Sequence, residues 1–180
     1  MTGHDLQMPH LRDSCPGCGV VLAPRAGPIH AYMTASPACW STYGELLAVQ
    51  YNDLDRMRFH QLVVDAYAVQ HPGGDDPRAV RSVGIHLMTL CLFLEHGTDP
   101  AMGAELHRRM VERPVFHRLT PPEHRGRLTC VDVPTSGPAS AARSSVYVWA
   151  NDAWAAWVVH QDTVRGWLVL SGLAQDVGDR

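Results

Sequence analysis

The stretch Cys15-Pro16-Gly17-Cys18-Gly19, followed by His30 and Cys39, constrains the chain more than any other. Two thiols two residues apart in a Pro/Gly turn place both sulfurs on one side of a tight knuckle. Gly17 and Gly19 permit the backbone turns that aim amide N–H groups at thiolates. Cys15, Cys18, His30 and Cys39 together supply four ligands for a tetrahedral zinc ion, read here as a closed structural site. His4 and His10 are alternatives to His30 should the N-terminus fold back. Residues 1–38 are rich in Pro, Gly, Ser and small residues, so a metal would stand in for the core they lack. The competing readings are a redox pair or two unrelated free thiols. A thioredoxin-like pair belongs between a strand and a helix start, whereas Val20-Val21-Leu22-Ala23-Pro24 reads as a short strand running into a proline turn.

The remainder reads as helices. Thr42 with Glu45 three residues on is a capping-box pattern, predicting a helix to about Tyr51. Asp53 opens a second, ended near Gln70 by His71-Pro72-Gly73-Gly74. Asp76-Pro77 opens a third and Gly97 closes it; its apolar run from Ile85 to Leu94 places it at the centre of the core. Asp99-Pro100 opens a fourth, to about Glu112. Residues 114–137 are punctuated by proline and read as loop, with a short strand or turn over 128–133. From Pro138 to Leu170, Trp149, Ala153, Trp157, His160, Val164 and Leu168 recur at helical spacing, as one helix or as two broken near Asn151-Asp152. The expected fold is mainly α: a bundle of about five helices with an N-terminal zinc-knuckle segment. Residues 1–40 would pack on a body spanning 41–175 as one compact unit.

Composition narrows the function. The formal charge of −3, with only Arg12 and Arg25 basic between residues 11 and 40, argues against a nucleic-acid surface. No apolar run approaches a membrane span, and the N-terminus has neither a basic start nor an apolar signal core, so a cytoplasmic location is expected. All fifteen basic residues are arginine, which excludes lysine Schiff bases, covalent pyridoxal phosphate and a P-loop lysine. Gly-x-Ser-x-Gly, His-Glu-x-x-His and Gly-x-Gly-x-x-Gly are absent. Cys91 lies in an apolar pattern and reads as a small buried hydrophobe.

Three histidines fall on faces the pattern buries. His60 shares one with Met57, Val64, Tyr67 and His71, His86 with Val83, Leu90 and Phe93, and His160 lies between Trp157 and Val164. Imidazoles converging from several helices build metal or acid/base sites, although a buried histidine more commonly satisfies a structural hydrogen bond. Five residues at about 100° each set Asp65 roughly 140° from His60 around one helix, so the two do not aim at one ion. Asp65 would instead hold a neighbouring histidine in one tautomer, or cap or bridge helices. His71, at the mouth of the loop, could join Asp75 or Asp76, and Tyr67 offers a phenol. The segment 107–127, with six arginines and three histidines, could grip an anion but reads more simply as a solvated helix end.

The motifs Cys-Pro-Gly-Cys-Gly at 15–19, Ser-Pro-Ala-Cys-Trp at 36–40, Val-Asp-Ala-Tyr-Ala-Val-Gln-His-Pro-Gly at 64–73, His86-Leu87 and the Trp/His-rich last helix resemble those of an uncharacterised bacterial domain-of-unknown-function family, over most of residues 15–168. The resemblance implies one unit and leans toward a shared role for Asp65, Tyr67 and His71, without implying a reaction. Two readings compete. One is a small metal-dependent or acid/base enzyme with a histidine-lined interior, holding a second metal or acting on a small molecule through His60, Asp65, Tyr67, His71, His86 and His160. The other is a non-enzymatic zinc-stabilised interaction module with a protein partner. A homo-oligomer is compatible with either.

Overall fold

The computed structural model describes residues 12–174, so His4 and His10 lie outside the described residues. Its centre is α3 (His60–Gln70), whose residues Leu62, Val63 and Asp65–Gln70 are all buried. It packs against α4 (Pro77–Leu94) on one side and α6 (Ala139–Ala156) on another. The apolar run of α4 is buried from Gly84 to Phe93 except at His86, as the pattern predicts, but it shares the centre with α3. A helix enclosed on several sides can afford polar side chains only where each finds a partner.

The described residues form seven α-helices and one two-stranded hairpin, β1 (Asp13–Ser14) with β2 (Val21–Leu22). The excess over five has two local causes. The second predicted helix divides into α2 (Leu54–Met57), capped by the Asp53 carboxylate, and α3, with Phe59 in a non-helical conformation between them. The last divides not at Asn151 but at Trp157, where the chain leaves α6, makes a 3-10 turn over 158–160 and enters α7 (Gln161–Leu170). Trp157 is completely buried and donates its indole N–H to the Val69 carbonyl at 3.2 Å, so anchoring it sets the bend.

The first helix starts earlier than its capping-box pattern suggests. α1 (Pro37–Tyr51) is capped by Ser36, whose hydroxyl accepts from the Cys39 amide at 3.2 Å, with Pro37 in the first turn. Thr42 instead donates back to the Ala38 carbonyl at 3.0 Å. This earlier start places Cys39 inside the first helical turn, near the positive end of the helix dipole. The Asp76 start, the Gly97 stop at φ +67° and the Asp99 start of the turn leading into α5 (Gly103–Glu112) are as read. Residues 130–132 form a 3-10 turn with a reciprocal Thr129/Asp132 capping box.

One ion pair ties α4 to α7. Arg165 donates from Nε to Glu95 Oε2 at 2.8 Å and from Nη2 to Oε1 at 2.7 Å, and Trp154 Nε1 donates to Oε1 at 3.0 Å. The Arg165 hydrogen bonds hold the Glu95 carboxyl down at about 2, from an ordinary 4.5. A depressed carboxyl stabilises the fold above its unfolded pKa and loses that contribution as pH falls through the folded one. We expect Glu95→Gln to cost about 1 kcal/mol at pH 7, solvent screening included. In paired thermal melts, the gap between wild type and variant should close between about pH 4.5 and pH 2.

Candidate metal centres

The knuckle is built as its sequence requires. The Cys15 amide donates to Val20 O at 2.8 Å and the Gly19 amide to Cys15 O at 2.9 Å, with Gly19 at φ +78°. The Ser36 amide donates to Cys15 Sγ at 3.4 Å, bringing the loop before α1 onto the knuckle. Cys39 Sγ then lies 3.8 Å from Cys18 Sγ.

The fourth member of this group is His71, and His30 lies outside it. His71 ends α3, and its Nδ1–H donates to the Tyr67 carbonyl at 2.7 Å, which fixes the tautomer and leaves the Nε2 lone pair 3.4 Å from Cys39 Sγ. One candidate ligand atom from each of Cys15, Cys18, Cys39 and His71 lies within 4.8 Å of the others, in a buried group that could hold a metal. His30 instead sets its ring edge-on to Tyr32, with centroids 4.3 Å apart, and near Trp40.

Hydrogen bonds with Cys18 and Cys39 hold the Cys15 thiol well below its usual range, while those with Cys15 and Cys39 raise Cys18 and those with Cys130 and Cys15 raise Cys39. Burial, together with the neighbouring Cys39, pushes the Tyr67 phenol up, so it stays protonated 3.6 Å from Cys39 Sγ. Arg125 donates through Nη1 to the carbonyls of Gly17 at 2.6 Å and Pro16 at 3.0 Å. Its charge would offset the net −1 of three thiolates around a divalent ion. Gln70, fully buried, carries the loop behind Arg125: Nε2 donates to Arg125 O and Leu128 O, both at 2.7 Å, and Oε1 accepts from Trp149 Nε1 at 2.9 Å.

A second group forms where α3, α4 and α5 meet. Asp65, completely buried, sets Oδ1 2.6 Å from His86 Nδ1 and 3.2 Å from His107 Nε2. Burial opposes its charge, but hydrogen bonds with His107 and His86 outweigh this and hold its carboxyl below the usual range. Asp65, His86 and His107 could also bind a metal ion. Nothing singled out His107 in the sequence except its place in the basic segment 107–127; its spacing of four from Gly103, on the buried face of α5, is the signal that would have found it.

The remaining candidates stand apart. His60 lies 3.0 Å from Gln50 Oε1 through Nδ1 and 3.4 Å from Tyr51 Oη through Nε2, on a different side of α3 from Asp65 as the 140° separation predicts. His160 Nε2 lies 2.8 Å from the Thr120 carbonyl, beside Trp157. Each makes a structural hydrogen bond between segments. Glu95 also lies near Cys91 and His96, but both of its oxygens are engaged by Arg165.

A model of a family of unknown function, DUF5946, matches residues 13–158. The chain belongs to this family. The matched span contains every residue of both candidate groups. No curated protein and no solved structure matches the chain. Among the described residues no helix is long and apolar enough to cross a membrane.

Proposed function

We propose that Cys15, Cys18, Cys39 and His71 hold one zinc ion as a closed structural site, and that the chain's chemistry lies in its histidine-lined interior as a small metal-dependent or acid/base enzyme. The observation that carries the zinc reading is the His71 hydrogen bond to Tyr67 O, which presents Nε2 to the three sulfurs. Distances agree: metal–sulfur bonds of about 2.3 Å at a tetrahedral angle set sulfurs about 3.8 Å apart and a ligating nitrogen about 3.6 Å from sulfur. Cys18 and Cys39 sulfurs are 3.8 Å apart, and His71 Nε2 is 3.4 Å from Cys39 Sγ. Three sulfurs and one nitrogen suit zinc, and four protein ligands leave no position for substrate.

The test is zinc per chain by elemental analysis. His71→Ala should lose zinc or weaken its affinity by more than about 100-fold, beyond the 10–100-fold typical of outer-shell changes, while His30→Ala keeps a full equivalent. The reverse result would return the fourth position to His30. The interaction-module reading draws support from Val158 and Val159 in the 3-10 turn before α7 and Val169 and Leu170 at its end, which are 64–77% exposed. It gains if the interior binds neither metal nor small molecule.

A further inference from the structure

We infer that Asp65, His86 and His107, with Gln61 as a fourth donor, form a second metal site for a divalent first-row transition ion, whose open side faces a cavity that takes a small phosphate-like or carboxylate anion. This deepens the reading of the interior as the functional centre and does not depend on zinc at the thiols.

The argument begins with hydrogen-bond accounting around one oxygen. Asp65 Oδ1 lies 2.6 Å from His86 Nδ1, 2.9 Å from Gln61 Nε2 and 3.2 Å from His107 Nε2, and Gln61 Nε2 lies 3.3 Å from His107 Nε2. Asp65, Gln61 and His107 thus form a triangle of mutual contacts, and protons cannot satisfy all three edges. If His107 Nε2 is protonated and donates to Asp65, it meets the Gln61 amide donor to donor. If it accepts from Gln61, its lone pair faces the carboxylate. Rotating the amide sets two oxygens against each other. A cation among them resolves the conflict, since a carboxylate oxygen, an imidazole lone pair and an amide oxygen all donate to a metal.

Two further observations point the same way. Asp65 Oδ2 is buried without a hydrogen-bond partner among the described residues, which is costly for a charged group and ordinary for one that binds an ion. Gln61 is seated close by because residue 103 is glycine: a Cβ there would overlap the Gln61 side chain. Two imidazoles, a carboxylate and an amide suit manganese, iron or cobalt in six-coordination, where the set leaves positions unused.

The chemistry of the opening names the ligand class. A cavity of about 300 Å³ is lined by His86, His107, Tyr32, Ser82, Arg78 and Arg81. The side chains of His86 and His107 are 12% and 23% exposed, whereas Asp65 is fully enclosed, so the cavity is reached from the imidazole side. Neither Arg78 nor Arg81 forms a salt bridge among the described residues. Two arginines beside a Lewis acid recognise an anion that the metal binds at one end and the guanidinium groups hold at the other.

Zinc-loaded protein would be titrated with Co²⁺, dialysed, and analysed for both metals and for its visible spectrum. One cobalt per chain is expected beyond the zinc, with d–d bands and no sulfur-to-cobalt charge transfer. His86→Ala and His107→Ala should each lose the cobalt and keep the zinc, whose retention with an unchanged helical spectrum certifies folding. Inorganic phosphate should shift the cobalt bands saturably, about 10–100-fold more weakly in Arg78→Ala/Arg81→Ala, by the scale of groups that support a metal site. No additional cobalt, cobalt retained in both histidine variants, a sulfur charge-transfer band, or cobalt bands indifferent to phosphate would each overturn the proposal. Should cobalt fail while phosphate still binds through the arginines by calorimetry, the metal falls and the interior survives as an acid/base site. Should both fail, the enzyme reading falls with it.

Discussion

Cys39→Ser is expected to abolish zinc binding and to lower the melting temperature by about 8–16 °C in zinc-containing buffer, while most helical signal persists. A ligand that binds only the folded state stabilises it by about 4 kcal/mol at 1,000 times its dissociation constant, and about 2–4 °C accompanies each kcal/mol in a domain of this size. Cys39 is the extreme case because it is completely buried, caps into the first turn of α1, and touches Cys18, Tyr67 and His71 at once. The helices α3, α4, α6 and α7 also pack on one another around Leu87, Trp149, Trp157 and Leu168, and these contacts should hold them together. Circular dichroism with metal analysis on wild type, variant and chelator-treated wild type checks this. The chelated wild type should match the variant. A variant that melts with the wild type would show that the thiols carry no structural ion.

How much of this could be read from the chain follows from how local each signal is. Helix starts at Asp76-Pro77 and Asp99-Pro100 and the stop at Gly97 are decided within one turn, and they appear where the sequence places them. The knuckle thiols are equally local. The fourth member of the group is not: 32 residues separate His71 from Cys39, and only the tertiary return of α3 onto α1 sets it, and not His30, beside the thiols. Tyr67 and His71 lie together beside the thiols, through one hydrogen bond and contact with one sulfur. Asp65 serves another centre because it leaves a different side of the same helix.

The run from Asp65 to Gly73 therefore works as a junction between distant parts. Asp65 meets α4 and α5, Tyr67 and His71 meet the knuckle, and Gln70 holds the 125–128 loop and Trp149. The carbonyls of His71 and Pro72 accept from Thr34, at 3.2 Å from its amide and 2.5 Å from its hydroxyl. No single position in that run reads as a site by itself. His107, unlike His86, is hidden for a different reason: it sits among arginines whose side chains reach solvent, and charge density there masks the inward face.

Gly17→Ala should impair zinc binding about as severely as loss of an outer-shell partner, 10–100-fold, although no ligand is removed. A Cβ on Gly17 would overlap both the Cδ2 atom of the His71 ring and the Thr34 carbonyl oxygen. Neither neighbour can give way. The ring is clamped by its Nδ1–H bond to Tyr67 O and by stacking on Tyr67 with centroids 3.9 Å apart, and the Thr34 backbone is tied to His71 and Pro72. The knuckle would have to lift away from His71, separating Cys15 and Cys18 from the fourth ligand and loosening the Arg125 clasp on Gly17 O. Gly27→Ala is the control: nothing lies within 4 Å of a Cβ there and its φ is not positive. Competition with a calibrated zinc chelator would measure both variants. Equal zinc affinity in Gly17→Ala, Gly27→Ala and wild type would mean that His71 does not sit against the knuckle, and the Cys3His assignment would fail with it.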